Sequence, residues 1–129
     1  MAFRLAPLLL CLVFISSDAR EAKTLVVTAT AYNSLASQTT ATDPDVTAWG
    51  EKLKPGMKCI AVSRDLIALG LKHNTKVTIE GLEGEYLVKD KMHWRWEKRI
   101  DIYMGVDIQA AREFGKKNVQ IKWRSKSER

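Results

Sequence analysis

Cysteine is scarce in this chain: 129 residues contain two, Cys11 and Cys59. Cys11 falls in an N-terminal apolar stretch, so once that stretch is removed Cys59 stands alone and no intrachain disulfide can brace the fold. Histidine is as rare, with His73 and His93 only. Two histidines and one cysteine form no metal-ligand cluster of usual spacing, so the reading calls for no metal and no cofactor. Long apolar runs are missing as well. Leu8 to Ile15 is unbroken, but a bilayer span takes ~20 residues. No internal repeat is evident.

The residues that are present begin with a segment outside the fold. Arg4 supplies a short positive region, the apolar run follows, and Ser17-Asp18-Ala19 offers small residues for cleavage. A lipoprotein anchor at Cys11 is the competing reading, set aside because Leu10 is bulky where such signals want a small residue. Residues 1–19 are thus expected to be a cleaved signal peptide, and 20–129 one exported domain in the periplasm, cell envelope or medium. About 110 residues suffice for a modest core. The formal net charge is +6, and the leader removes one charge of each sign. Such a balance suits an acidic polymer, an anionic surface or a charged cell-wall glycan, and export argues against nucleic acid. Cys59 lies in the apolar run Cys59-Ile60-Ala61-Val62 and reads as a buried, inert thiol.

Short strands dominate the rest. Thr24 to Tyr32 reads as a strand, followed by a long Ser- and Thr-rich loop from Asn33 to Asp45. Further strands are expected at Lys58–Val62, Lys76–Glu80, Glu85–Lys89, Arg99–Tyr103 and Val119–Trp123, with a hairpin around Gly81-Leu82-Glu83-Gly84. Ser63 is expected to cap a short helix from Arg64 to Leu69, stopped by Gly70. Asp107 is expected to cap a second one, with Ile108, Ala111 and Phe114 on one side and Gly115 at its end. Ser125 to Arg129 reads as a frayed tail. Six short strands with two brief helices imply a closed or nearly closed β-barrel, because closure removes exposed edges.

The most informative stretch runs from Val88 to Tyr103. It carries Asp90 and Asp101 at the edges of two β-type runs, joined by a loop with His93, Trp94, Arg95 and Trp96. In Arg99-Ile100-Asp101-Ile102-Tyr103 the isoleucines point one way and Asp101 the other. Asp is disfavoured in mid-strand, so it asks for a reason. A salt bridge with Arg99 or Lys98 is one, and a working carboxylate is the other.

Several words along the chain carry a resemblance. Thr30-Ala31-Tyr32, Thr47-Ala48-Trp49-Gly50, Ile60-Ala61-Val62-Ser63, Ala68-Leu69-Gly70, Lys76 to Gly81, Val88-Lys89-Asp90, Arg99 to Tyr103 and Ala110 to Gly115 occur in the order of the 3D (Asp-Asp-Asp) domain, which this chain resembles. That domain occurs in membrane-bound lytic transglycosylase A and stationary-phase muralytic proteins. The resemblance implies a mainly β fold, a six-stranded double-psi β-barrel related to barwin and expansins, with two short helices. It implies cleavage of peptidoglycan at the MurNAc–GlcNAc β-1,4 bond, leaving 1,6-anhydro ends. A non-catalytic, expansin-like glycan-binding module is the alternative.

Of the three aspartates that name the family, the resemblance assigns one to Asp101 and one to Asp90. The third place holds Ser63, with Asp65 two residues on. Asp101 is the expected acid/base, with Asp90, and Asp65 as the remaining candidate. Such an acid must be protonated when substrate arrives, so its pKa must exceed the ~3.9 of a free Asp. Ile100 and Ile102 are expected to desolvate Asp101, Asp90 to raise its pKa further, and Lys98 or Arg99 to oppose this if they reach it. Tyr32, Trp94, Trp96, His93 and Arg99 are candidate substrate-binding residues, and Thr30 shares the strand of Tyr32. Each has a structural reading too: strand or barrel packing, or a solvated basic loop. Lys89, Lys91, Arg95, Lys98 and Arg99 could attract the carboxylates of peptide stems. The expected partner is the peptidoglycan strand, met by a monomer with no integral membrane segment.

Overall fold

The computed structural model describes residues 20–34 and 46–126. The expected signal peptide, most of the 33–45 stretch and the last three residues of the chain lie outside the described residues. Six strands close into a barrel: β1 (Arg20–Tyr32), β2 (Cys59–Val62), β3 (Lys76–Ile79), β4 (Tyr86–Lys91), β5 (Arg99–Tyr103) and β6 (Lys117–Lys126). Their order around the barrel is β1-β5-β2-β4-β3-β6. Two neighbouring pairs are parallel, β1 with β5 and β2 with β4, and the rest are antiparallel. These two parallel pairs, each made by strands distant in sequence, give the double-psi arrangement.

The strands form where the sequence alternates. On β6, Val119, Ile121 and Trp123 point inward while Asn118, Gln120, Lys122 and Arg124 face water. On β5, Ile100 and Ile102 enter the same core, joined there by Val27, Ile60, Val62, Val77 and Val88. Burying each such side chain contributes roughly 1.5–3 kcal/mol, and together they hold the barrel shut. β2 is the exception to alternation, because all four of its residues are buried. Ile60 and Val62 face inward, while Cys59 packs outward with Leu53 and Tyr103, flanked by Tyr32 and Met57. The barrel thus carries a second, smaller apolar cluster on the outer face of β1, β5 and β2.

Two short helices complete the domain, α1 (Arg64–Ala68) and α2 (Ile108–Phe114). Asp107 caps α2 as expected, its Oδ1 accepting from Ala110 N–H at 3.0 Å. Ile108 does not share a buried face with Phe114; it is exposed, and no residue of α2 is fully buried. Gly70 ends the α1 turn at φ +104°, and a Cβ there would lie 2.6 Å from Ser125 Cβ. Ser125 itself is buried within β6 rather than part of a frayed tail, since it pairs with Glu21 of β1. Among the described residues no helix is long and apolar enough to cross a membrane.

Candidate functional site

Four strands bring four outward residues into one row. Thr30 of β1 pairs with Asp101 of β5, Asp101 with Ala61 of β2, and Ala61 with Asp90 of β4. Asp101 and Asp90 therefore stand two strand spacings apart, roughly 10 Å at the backbone, with only the Ala61 methyl between them. The placement of Asp90 depends on a bulge. Ile60 pairs with Val88 but Ala61 pairs with Asp90, so Lys89 is an extra residue on β4. In unbroken register Lys89 would face Ala61 and Asp90 would turn to the other face. The bulge re-aims the aspartate, as bulges beside functional sites commonly do.

The displaced Lys89 is not part of a free basic face. It is largely buried, donates to Glu51 Oε2 at 2.8 Å and to Asn74, and so anchors the 46–53 segment against β4. His73 binds the other oxygen of the same carboxylate and stacks on Trp49, with ring centroids 4.9 Å apart. Held this way, the segment presents Ala48 N–H to Asp90 Oδ1 at 2.8 Å. Lys91 N–H donates to the same oxygen at 2.8 Å.

Asp101 makes no salt bridge with Arg99 or Lys98. Its partner is Thr30, whose hydroxyl donates to Oδ1 at 3.0 Å. Burial pushes its pKa above the ordinary value, while the Thr30 bond and the Arg99 charge pull down and Asp90 adds a small upward push. Ile100 and Ile102 lie on the opposite face of β5, as neighbours in a strand must. The next outward residue is Tyr103, which with Tyr32 and Cys59 belongs to the outer apolar cluster. Burial raises Asp90 too, against the two backbone N–H groups and the Lys91 charge. Tyr32 packs on Tyr103 with centroids 5.4 Å apart, and burial holds its phenol protonated far above neutral pH.

The 92–98 loop leaves β4 one residue row beyond the aspartates and returns into β5. The start of α1 staples both ends of it. Arg64 Nε donates to Met92 carbonyl at 3.1 Å, and Asp65 Oδ2 accepts from Lys98 N–H at 2.9 Å. Lys98 has φ +43°, unusual for a residue with a side chain, and the Asp65 bond compensates that conformation. Trp94 is 73% exposed at the tip, beside His93, whose Nδ1 accepts from Arg95 N–H at 3.2 Å. Trp96 is half-buried beneath two guanidiniums, Arg99 at 4.1 Å and Arg95 at 4.9 Å from its ring.

Of the residues singled out in the sequence, Asp101, Asp90, Thr30 and Tyr32 come together on one outer face. Trp94, His93, Trp96 and Arg99 flank them on the loop and the start of β5. Asp65 is not brought into the row: it is exposed on α1 and occupied with the loop backbone. Ser63 sits at the N-cap position, but its side chain does not cap α1; it is fully buried and accepts from Arg99 N–H at 3.0 Å. Ala48, Glu51 and His73 were missed, since backbone donors and cross-loop pairs leave no mark in a local pattern. Asn33 opens the loop after β1, as expected, and its buried amide donates to the carbonyls of Gly105 at 3.2 Å and Asp107 at 3.0 Å, tying the end of β1 to the turn before α2.

A hollow lies elsewhere, between the end of α1 and the outer ends of β1 and β6, and neither Asp90 nor Asp101 lines it. It is wide and open, with Lys23, Lys72, Lys76 and Arg124 on its rim and no titratable pair like that of the aspartate row.

No family model matches this chain, and no curated protein matches it. Among solved structures, the crystal structure of an apo expansin from Clavibacter michiganensis is similar at a TM-score of 0.46 and 16% identity, over 83% of this chain and 52% of that one. This chain therefore spans about half the length of that expansin.

Proposed function

We propose that the protein is a lytic transglycosylase of the 3D-domain type, exported to act on peptidoglycan, with Asp101 as acid/base and Asp90 in support. The observation that carries this reading is the row itself: two carboxylates with raised pKa on one outer barrel face, separated by a single methyl group. A structural ion pair would have lowered both values, whereas an acid that must deliver a proton needs them raised. Protonated Asp101 gives its proton to the glycosidic oxygen as the bond to the muramyl carbon breaks. The carboxylate so formed takes the proton of the muramyl C6 hydroxyl, whose oxygen closes the 1,6-anhydro ring, and the acid is restored. No water enters the products. Exposed Trp94 offers a stacking surface for sugar beside the same face.

A second reading, a glycan-binding module without cleavage, is favoured by Ser63. The third family carboxylate is missing there, and Ser63 is buried and committed to the backbone of Arg99. Incubation with purified peptidoglycan and mass spectrometry of the soluble fraction separates the readings. Anhydro-ended fragments from wild type, lost in Asp101→Asn with binding retained, are the expected result; losing an acid/base group costs on the order of 10²–10⁴ in rate. Reducing ends would mean hydrolysis. Binding without fragments, weakened by Trp94→Ala and indifferent to Asp101→Asn, would leave the binding module.

A further inference from the structure

Among the described residues, two buried side-chain atoms lack a hydrogen-bond partner, Tyr32 Oη and Arg99 Nε. Their residues lie to either side of the same bond. Arg99 precedes Asp101 by two residues on β5, and Tyr32 follows Thr30 by two on β1, so the pair brackets the Thr30–Asp101 contact along the outer face. Buried polar groups without partners are rare in folded proteins, and each asks for an explanation.

Arg99 is the more telling of the two. Its backbone is clamped by Ser63 through both its N–H and its carbonyl, at 3.0 and 2.8 Å. Its guanidinium rests on Trp96 at 4.1 Å, and no carboxylate among the described residues lies within ion-pair distance of it. The charge is thus fixed in place, set down on an indole and left unneutralised. Ring hydroxyls alone do not call for a cation, whereas a guanidinium fork matches a carboxylate in shape and charge.

We infer that Arg99 is the specificity-determining residue of this site, taking a carboxylate that the glycan carries beside the glycosidic bond, as a muramyl residue does through its lactyl group and peptide stem. The inference rests on the glycan-directed reading above and adds which glycan is chosen. It also resolves a conflict within the site. In the free protein the Arg99 charge draws the Asp101 pKa down, against the need for a protonated acid. A substrate carboxylate on Arg99 neutralises that charge when the proton is required.

The test compares binding of the protein to native peptidoglycan and to peptidoglycan whose carboxylates have been amidated with carbodiimide and ammonia. Wild type is expected to prefer the native form by about ten-fold or more, the size of a charged hydrogen bond. Arg99→Gln should abolish that preference, and Arg99→Lys should restore it in part, having the charge without the fork. The amidation arm uses unaltered protein, so it stands even if Arg99→Gln fails to fold. Equal binding of the two polymers by wild type would overturn the inference, as would an undiminished preference in folded Arg99→Gln. In either case the glycan reading survives. Wild type that binds neither polymer would overturn both.

Discussion

Ser63 holds both backbone polar groups of Arg99: its Oγ accepts the Arg99 N–H at 3.0 Å, and its own N–H donates to the Arg99 carbonyl at 2.8 Å. A serine that looks like a helix cap in sequence is instead the clamp on the first residue of β5. This fixes where Asp101 begins its run along the outer face. Ser63→Ala should leave the half-buried Arg99 N–H unpaired and lower stability by about 1–2 kcal/mol. Ser63→Asp should also destabilise, because it forces a larger ionisable group into a fully buried place, and should not raise glycan cleavage. Urea denaturation checks the first point and fragment release the second.

Asp101 gives a pH dependence with a definite sign. Its pKa is raised in the folded protein, so between the ordinary value of 3.8 and the raised one the folded state binds more protons than the unfolded. Stability from this group is therefore full below 3.8 and falls as pH rises through that window. Asp101→Asn removes this slope and should be more stable than wild type at neutral pH, relative to their difference at acidic pH. Asp90→Asn should show the same sign, since burial raises Asp90 as well. Urea midpoints of the three proteins across pH 3.8 to 7 measure it.

Thr30→Val keeps the shape of the side chain but removes the hydroxyl that donates to Asp101. That bond pulls the Asp101 pKa down, so its loss should move the pKa up. If Asp101 is the acid, activity falls as pH rises through its pKa, and the variant's falling limb should lie at higher pH than that of wild type. The expected stability cost is about 1 kcal/mol.

Cys59 is buried in the outer cluster, and burial pushes its thiol up to about 11. It should resist iodoacetamide at pH 8 in the native protein and react on unfolding. Folding should be equally reversible under oxidising and reducing conditions. Cys59→Ser should cost about 1–3 kcal/mol by placing a hydroxyl among Leu53, Tyr103 and Tyr32, and Cys59→Ala less.

Gly70→Ala tests the end of α1. At φ +104° any side chain is strained, and the new Cβ would stand 2.6 Å from Ser125 Cβ in β6. A loss of about 1–3 kcal/mol is expected, read as a lower melting temperature, with the aspartate row undisturbed.

The sequence by itself located the six strands, though β1 and β6 run further than their alternation marked, and it set the faces of most of their residues. Alternation in Arg99 to Tyr103 already sent Ile100 and Ile102 inward and Asp101 outward, and the same period placed β3 and β6 and the hairpin before β4. The words carrying the 3D-domain resemblance singled out Asp90 and Asp101 as a pair. Tertiary structure decided what surrounds them. Which residue of β4 meets Ala61 is a matter of register between strands far apart in the chain, and the bulge at Lys89 set it so that Asp90 faces out. Asp65 and Ser63 looked like candidates for a third carboxylate site because they are close in sequence to Val62. Once β2 ends, α1 turns them toward the 92–98 loop and the start of β5, where one pins Lys98 and the other clamps Arg99. The outward row that Asp101 shares with Tyr32 and Tyr103 likewise exists only because β1 and β5 pair. Local periodicity specifies the face of a side chain, whereas its electrostatic environment is set by contacts between segments that only closure of the barrel brings together.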